Sequence, residues 1–306
     1  MTQKDPIRIA AIGEAMVELS GANPKAGTLR MGFAGDTLNT AIYLARAMPN
    51  AEVFYVTQLG RDGFSNAMIA EMEAEGLRTD LVGRHPERLP GLYAIELDRE
   101  GERSFRYWRS EAAARLLFSD GPPGLDALDG MDVLYLSAIT LAILPPDIRA
   151  RLTRKLADLR DGGKTVVFDS NYRPRLWADA DTARTSIDAM WRSTSIALPS
   201  YDDEAILHPG LAPSQVRDRI ATFGVPEIVL KNGPAGPLLW AGAPVEAGPF
   251  AAAERVVDTT AAGDSFNAGY LAARLAGAAP SEAAQAGHAL ACKVIAAPGA
   301  ILPRDR

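Results

Sequence analysis

An aspartate that follows a run of small residues and opens a helix can hold an anion and take a proton in the same place. The run Asp258-Thr259-Thr260-Ala261-Ala262-Gly263-Asp264 fits that description, and Ser265-Phe266-Asn267-Ala268-Gly269 continues it into an apolar helix through Tyr270, Leu271 and Leu275. An Ala-Ala-Gly turn lets backbone N–H groups approach an anion closely, and the helix dipole favours negative charge there. Asp264 would then accept a proton from an incoming hydroxyl. The plainer reading makes Asp264 a helix cap only. A helix N-terminus also lowers an aspartate pKa, so the base expected here is weak. Phosphoryl transfer tolerates a weak base, because positioning and charge stabilisation do most of the work.

Three further clusters offer polar groups suited to a small polyol. In Ala34-Gly35-Asp36-Thr37-Leu38-Asn39-Thr40-Ala41, glycine allows a sugar to pack on backbone while Asp36 and Asn39 reach hydroxyls; the alternative is a turn before an Asp-started helix. In Phe105-Arg106-Tyr107-Trp108-Arg109, residues two apart share a strand face, so Tyr107 and Arg109 point together and Tyr93 joins them from the neighbouring strand. Aromatic rings beside a guanidinium suit a sugar acid, although a solvated arginine on an exposed hairpin explains the same pattern. A second arginine segment, Phe168-Asp169-Ser170-Asn171-Tyr172-Arg173-Pro174-Arg175-Leu176-Trp177, lies just past an apolar strand, where open α/β sheets bind ligands.

Placing these groups together needs a scaffold, and the hydrophobic pattern supplies one. Apolar runs at 7–12, 53–58, 133–136, 165–169, 195–198 and 228–231 predict strands buried on both faces. Helical periodicity fills the gaps at 37–48, 64–75, 147–160, 182–191 and 214–223, and two Ala-rich helices close the chain at 263–276 and 281–296. This alternation predicts a doubly wound, mostly parallel α/β sheet forming a single domain over residues 1–306. One stretch breaks the rhythm: 92–97 and 103–108 predict a hairpin turning at Asp98-Arg99-Glu100-Gly101-Glu102. With 16–19 and 29–33 it would form a small β-sheet, inserted from about 15–33 and 90–110, able to act as a lid. Exposed lid strands would also give a second copy of the chain an edge to pair with.

Composition excludes several other classes. The 306 residues carry a formal charge of −6, so no global basic field attracts nucleic acid or anionic membranes. One cysteine, Cys292, rules out an internal disulfide, and His85, His208 and His288 are scattered without zinc spacing. The N-terminal residues lack a signal-peptide pattern and no apolar run is long enough for a membrane span, so a cytoplasmic protein is expected. Gly163-Lys164-Thr165 imitates the end of a P-loop, but Asp158 stands where the first glycine belongs and a strand follows. No G-x-G-x-x-G follows the first strand, which disfavours a dinucleotide enzyme.

The motifs together resemble one family. Asp258–Asp264 is similar to the DTTGAGD motif of ribokinase-like (PfkB) carbohydrate kinases, with Ala261 in place of the first glycine. The Gly35-Asp36 motif over 200 residues earlier matches the family's order. The resemblance implies a ribokinase-like fold, ATP and Mg²⁺ as cofactors, Asp264 as catalytic base and an anion hole from the amides of Ala261, Ala262, Gly263 and Asp264. Val229-Leu230-Lys231-Asn232-Gly233-Pro234-Ala235-Gly236 resembles the family's nucleotide loop, with Lys231, Gly233 and Gly236 as contacts. The adenine would lie near His288, Ala291 and Cys292. The family's Asn-x-x-Glu, which helps organise magnesium, has no exact counterpart; Ser200 with Asp203 or Tyr201 with Glu204 would replace it, Glu204 being the acid chosen here. Asp169-Ser170-Asn171-Tyr172-Arg173-Pro174-Arg175-Leu176-Trp177 is similar to the D-x-N-x-R-x-x-L-W stretch of sugar kinases, while Gly13-Glu14-Ala15-Met16-Val17-Glu18-Leu19, Gly35-Asp36-Thr37-Leu38-Asn39-Thr40, Tyr107-Trp108-Arg109 and Pro298–Pro303 look most like 2-keto-3-deoxygluconate kinases. That subgroup implies transfer to the 6-hydroxyl of the sugar acid, held by Gly35, Asp36, Asn39, Tyr93, Tyr107, Arg109 and Arg173. A neutral-sugar kinase of fructokinase or ribokinase type, or a non-catalytic sugar-binding protein, is the alternative.

Overall fold

A computed structural model describes residues 5–23, 26–97, 103–119 and 121–304. The chain begins with β1 (Arg8–Ile12), β2 (Met16–Asn23), β3 (Thr28–Ala34) and α1 (Asp36–Ala47). Next come β4 (Glu52–Leu59), α2 (Gly63–Ala74), β5 (Val82–Arg84), β6 (Gly91–Leu97) and β7 (Arg103–Trp108). The middle holds β8 (Val133–Ser137), α3 (Ala138–Ile143), α4 (Pro146–Asp161), β9 (Thr165–Asp169), α5 (Ala180–Trp191) and β10 (Ile196–Ala197). The last third holds α6 (Tyr201–Leu207), α7 (Pro213–Ala221), β11 (Glu227–Leu230), β12 (Leu238–Ala241), β13 (Pro244–Val245), α8 (Ala262–Leu275) and α9 (Pro280–Ile295).

The large sheet runs β13-β12-β11-β10-β9-β8-β1-β4-β5. Its strands are parallel from β5 to β11, and β12 and β13 add an antiparallel edge. Side chains alternate across it as the pleat demands. Ala10, Ile12, Phe54, Val56, Leu134 and Leu136 face one core with residues of α4, α5 and α7. Ile9, Ala11, Val53, Tyr55, Val133 and Tyr135 face the other, with residues of α1, α2, α8 and α9. Burial on both faces explains why these strands read as continuous apolar runs. Of the six predicted strands, β9 matches in full, while β10 is reduced from four residues to two. The antiparallel edge and β5 were not foreseen, because short strands at a rim carry little apolar signal.

The second sheet, ordered β3-β2-β6-β7, is built from the expected segments. Its middle pairing, β2 with β6, is parallel, while the outer pairings are antiparallel. The turn expected at 98–102 lies outside the described residues. Tyr93 stands directly opposite Tyr107, so the predicted shared face is formed.

Candidate active site

The parallel strands all end at one rim, and the polar segments collect there. β8 ends at Ser137, β9 at Asp169 and β11 just before Lys231, while α1 and α8 begin above them. The two helices pack together, so residues 36–40 and 264–267 meet. Asn39 donates from Nδ2 to Oδ2 of Asp264 at 2.8 Å.

Asp264 sits in the first turn of α8. Part of its surface opens to the cleft, yet the surrounding protein desolvates its carboxyl. Burial raises its pKa to about 8, helped by the negative charge of Asp36, while the Asn39 bond works the other way. The sequence had suggested a lowered pKa from the helix terminus; desolvation and neighbouring carboxylates overcome that effect. A carboxyl titrating there is a competent base for an alcohol near neutral pH.

The α8 start has anion-binding geometry, with one amendment. The Ala262 amide already donates to the Thr259 carbonyl at 3.2 Å, whereas those of Gly263 and Asp264 have no partner among the described residues. Ala261 caps the helix at φ 59, ψ 16, in the left-handed region. A left-handed alanine is strained where the family's glycine is relaxed. Its methyl packs against the cluster of Met16, Ala34, Tyr93 and Ala300, tying the turn to the small sheet.

Beneath Asp264 lies a charged network that the motifs alone did not assign. Lys231 Nζ donates to Asp169 Oδ2 at 2.7 Å and to Asn267 Oδ1 at 2.9 Å, and Asn267 Nδ2 also donates to Asp169 Oδ2 at 2.7 Å. A Cβ placed on Gly263 would lie 3.6 Å from Lys231 Nζ, so the ammonium is adjacent to the helix start. Asp36 accepts from the Ser137 hydroxyl and, at 2.8 Å, from Asn171 Nδ2. Asn267 lies one turn beyond Asp264, a spacing that could have flagged it, and Asn171 stands in the quoted Asp169–Arg173 stretch; Ser137 had no such signal.

The residues expected to hold a sugar acid flank this cleft. Gly35 is extended and tightly placed: a Cβ there would collide with the Glu14 carbonyl oxygen. Tyr93 is buried, hydrogen-bonds Glu18 and lies with its ring 5.7 Å from that of Tyr107, tilted by 34°. Tyr107 is 51% exposed, leaving its ring open to the surface. Arg109 is not the solvated arginine of the plain alternative, for its side chain is only 10% exposed and pairs with fully enclosed Glu14. That partner was not foreseen. Arg109 Nε and Glu14 Oε1 are buried without partners, so the pair is incomplete. Arg173 reaches Asp203 Oδ1 at 2.8 Å, and its pKa is raised because Asp203 and Asp36 outweigh the opposing effect of burial.

The two possible acidic registers separate clearly. Asp203 faces Arg173 and feels Asp169 and Lys231, on the cleft side. Glu204 is fully buried, beside Ser170 and Arg219, with no well-formed hydrogen bond to either oxygen. The Ser200/Asp203 register therefore fits the cleft better than Tyr201/Glu204. In the segment expected to meet the nucleotide, Gly233 and Gly236 bracket a short turn after β11, and a Cβ on Gly236 would meet the Phe250 ring at 2.6 Å. His288 stands edge-on to Phe250 at 5.1 Å and bonds the Ala251 carbonyl at 2.6 Å. Ala291 and Cys292 lie on the same helix, α9, both half-buried.

The profile of the pfkB family carbohydrate kinases matches residues 7–306. The chain belongs to that family. The 2-dehydro-3-deoxygluconokinase of Dickeya dadantii is 46% identical to this kinase, over 100% of this chain and 99% of that one. The enzyme of the same name from Escherichia coli is 45% identical, over 97% and 98% of the two chains. The crystal structure of a 2-dehydro-3-deoxygluconokinase from Thermotoga maritima has the same fold, with TM-score 0.82 and 20% identity over 97% and 96% of the chains. Among the described residues of this kinase, no helix is long and apolar enough to cross a membrane.

Proposed function

We propose that this protein transfers the γ-phosphoryl group of ATP to the 6-hydroxyl of 2-keto-3-deoxygluconate (2-dehydro-3-deoxygluconate). The observation that carries the reading is the Asn39–Asp264 bond, which joins the sugar-facing motif to the helix start in one cleft. Relatives named 2-dehydro-3-deoxygluconokinase, matched over nearly their whole length, support the choice of substrate.

In this reading Asp264 takes the proton of the 6-hydroxyl as its oxygen attacks the γ-phosphorus. A new O–P bond forms, the bond to the β-phosphate bridging oxygen breaks, and ADP leaves with that electron pair. The free amides of Gly263 and Asp264, with that of Ala261, stabilise the transferring group, and Lys231 adds positive charge beneath them. Tyr93 and Tyr107 pack on the sugar carbons, Arg109 and Arg173 attract the carboxylate, and Gly35, Asp36 and Asn39 orient the hydroxyls. Gly233, Gly236, His288 and Ala291 bound the nucleotide. The small sheet acts as the lid of a single domain.

Magnesium would neutralise charge on the phosphates. No group of three or more His, Cys, Asp or Glu side chains among the described residues forms a metal cage. That fits an ion held mainly by phosphates and water with one or two carboxylates. Asp203 is the better-placed carboxylate, with Glu204 behind it. Leu29, Met31, Tyr107 and Trp108 are exposed on the small sheet, which supports a homo-oligomer formed through these strands; light scattering would read its mass.

A coupled ATPase assay with Mg²⁺ across 2-keto-3-deoxygluconate, gluconate, fructose and ribose tests the reading. The keto acid should be preferred by at least tenfold in kcat/KM. Faster turnover of fructose or ribose would replace it with a neutral-sugar kinase.

A further inference from the structure

A cavity of about 460 Å³ opens outside the cleft, at the root of the small sheet. Its walls include Arg88, which precedes β6, and Ser110, Glu111 and Arg115, which follow β7. The opposite wall is the turn from α3 into α4, with Leu144, Pro146 and Arg149. Both chain segments that carry the β6–β7 hairpin thus meet the body of the kinase here.

The cavity is cationic in a chain of net charge −6. Arg88 is neutralised by Glu111. Arg149 is not neutralised: its guanidinium donates to the carbonyls of Leu141 at 2.6 Å and Leu144 at 3.3 Å and to the Ser186 hydroxyl at 3.3 Å. All these partners are neutral, and burial lowers its pKa with no acid to offset the effect. Arg115 is half-buried, and its guanidinium makes no hydrogen bond or ion pair among the described residues. Its charge reaches Glu14, which Arg109 already holds. Among the described residues, the guanidinium groups of Arg115 and Arg149, both lining one cavity, therefore make no ion pair of their own.

We propose that this cavity binds a compact dianion of the phosphate type, tying the root of the small sheet to the turn before α4. Paired guanidinium forks match the oxygens of a phosphate, and the volume lies in the range of small-molecule sites. The site is separate from the helix start of α8 and does not depend on which sugar the kinase phosphorylates.

The probe is inorganic phosphate, added at constant ionic strength to the full chain saturated with Mg²⁺ and a non-hydrolysable ATP analogue, which blocks the α8 site. At roughly ten times its Kd, phosphate should raise Tm by about 2–4 °C. Arg115→Gln should abolish the shift. Ser110→Asp, at an exposed position where folding is not at risk, should abolish it as well. Hydrogen exchange at residues 88–91 and 108–111 should slow with phosphate in the wild type. An equal Tm shift in both variants, or the same shift from chloride at matched ionic strength, would overturn the proposal. So would protection confined to the start of α8.

Discussion

Asn39 and Asp264 are 225 residues apart in sequence and 2.8 Å apart in space, the amide of one donating to the carboxyl of the other. The bond opposes the rise in the Asp264 pKa that burial and Asp36 impose. Asn39 therefore sets how readily Asp264 holds its negative charge.

Removing that donor with Asn39→Ala should raise the Asp264 pKa further. The deprotonated base is then reached only at higher pH. A pH profile of kcat/KM should show its acid limb displaced upward relative to wild type. An unmoved limb would assign that limb to another group.

Asp264→Asn should lower kcat by roughly 10²–10⁴-fold, the usual contribution of a positioned base. The same variant should be more stable than wild type at pH 8. The folded pKa is raised to about 8 from an ordinary value of 3.8, so wild-type stability falls as pH rises between those values. Relief of a desolvated active-site charge by about 1–2 kcal/mol fits the common trade between stability and activity. Urea unfolding at pH 5 and pH 8 reads the sign: the advantage of the variant should be larger at pH 8.

Arg109→Ala should raise KM for the keto acid and also destabilise the fold by about 3–5 kcal/mol, because it strands a buried charge. Glu14 is the stranded group, 1% exposed, with its pKa already raised by burial. Arg109→Met combined with Glu14→Gln should restore most of the stability while KM stays high. Recovery of KM in the double variant would show that Arg109 acts only through the fold.

Ala261→Gly should stabilise the protein by about 0.5–1 kcal/mol, since glycine adopts the observed φ of 59 without strain. Turnover should be at least that of wild type. A loss of stability would mean that the methyl contact with the cluster of Met16, Ala34, Tyr93 and Ala300 outweighs the backbone strain.

Glu204 has a folded pKa of about 7, raised from 4.5 chiefly by burial, so wild-type stability falls as pH rises through that interval. Glu204→Gln removes the charge. The variant should match wild type near pH 4.5 and exceed it at pH 8, by on the order of 1–3 kcal/mol. Denaturation curves at the two pH values check this divergence.

What the sequence determined by itself was the alternation of elements and the identity of the motif residues. Strands buried on both faces must be apolar throughout, so 133–136 and 165–169 could be read directly, and small residues before an apolar helix marked 261–264. Those are local properties, written in one stretch of chain. Tertiary structure decided everything that depends on a distant neighbour. Glu14 beneath Arg109, Asn39 on Asp264 and Asp169 with Lys231 come from segments 95, 225 and 62 residues apart in the chain. The sign of the Asp264 pKa shift also reversed, because dipole and cap are local whereas desolvation and the Asp36 charge arise only when two helices close over one sheet rim.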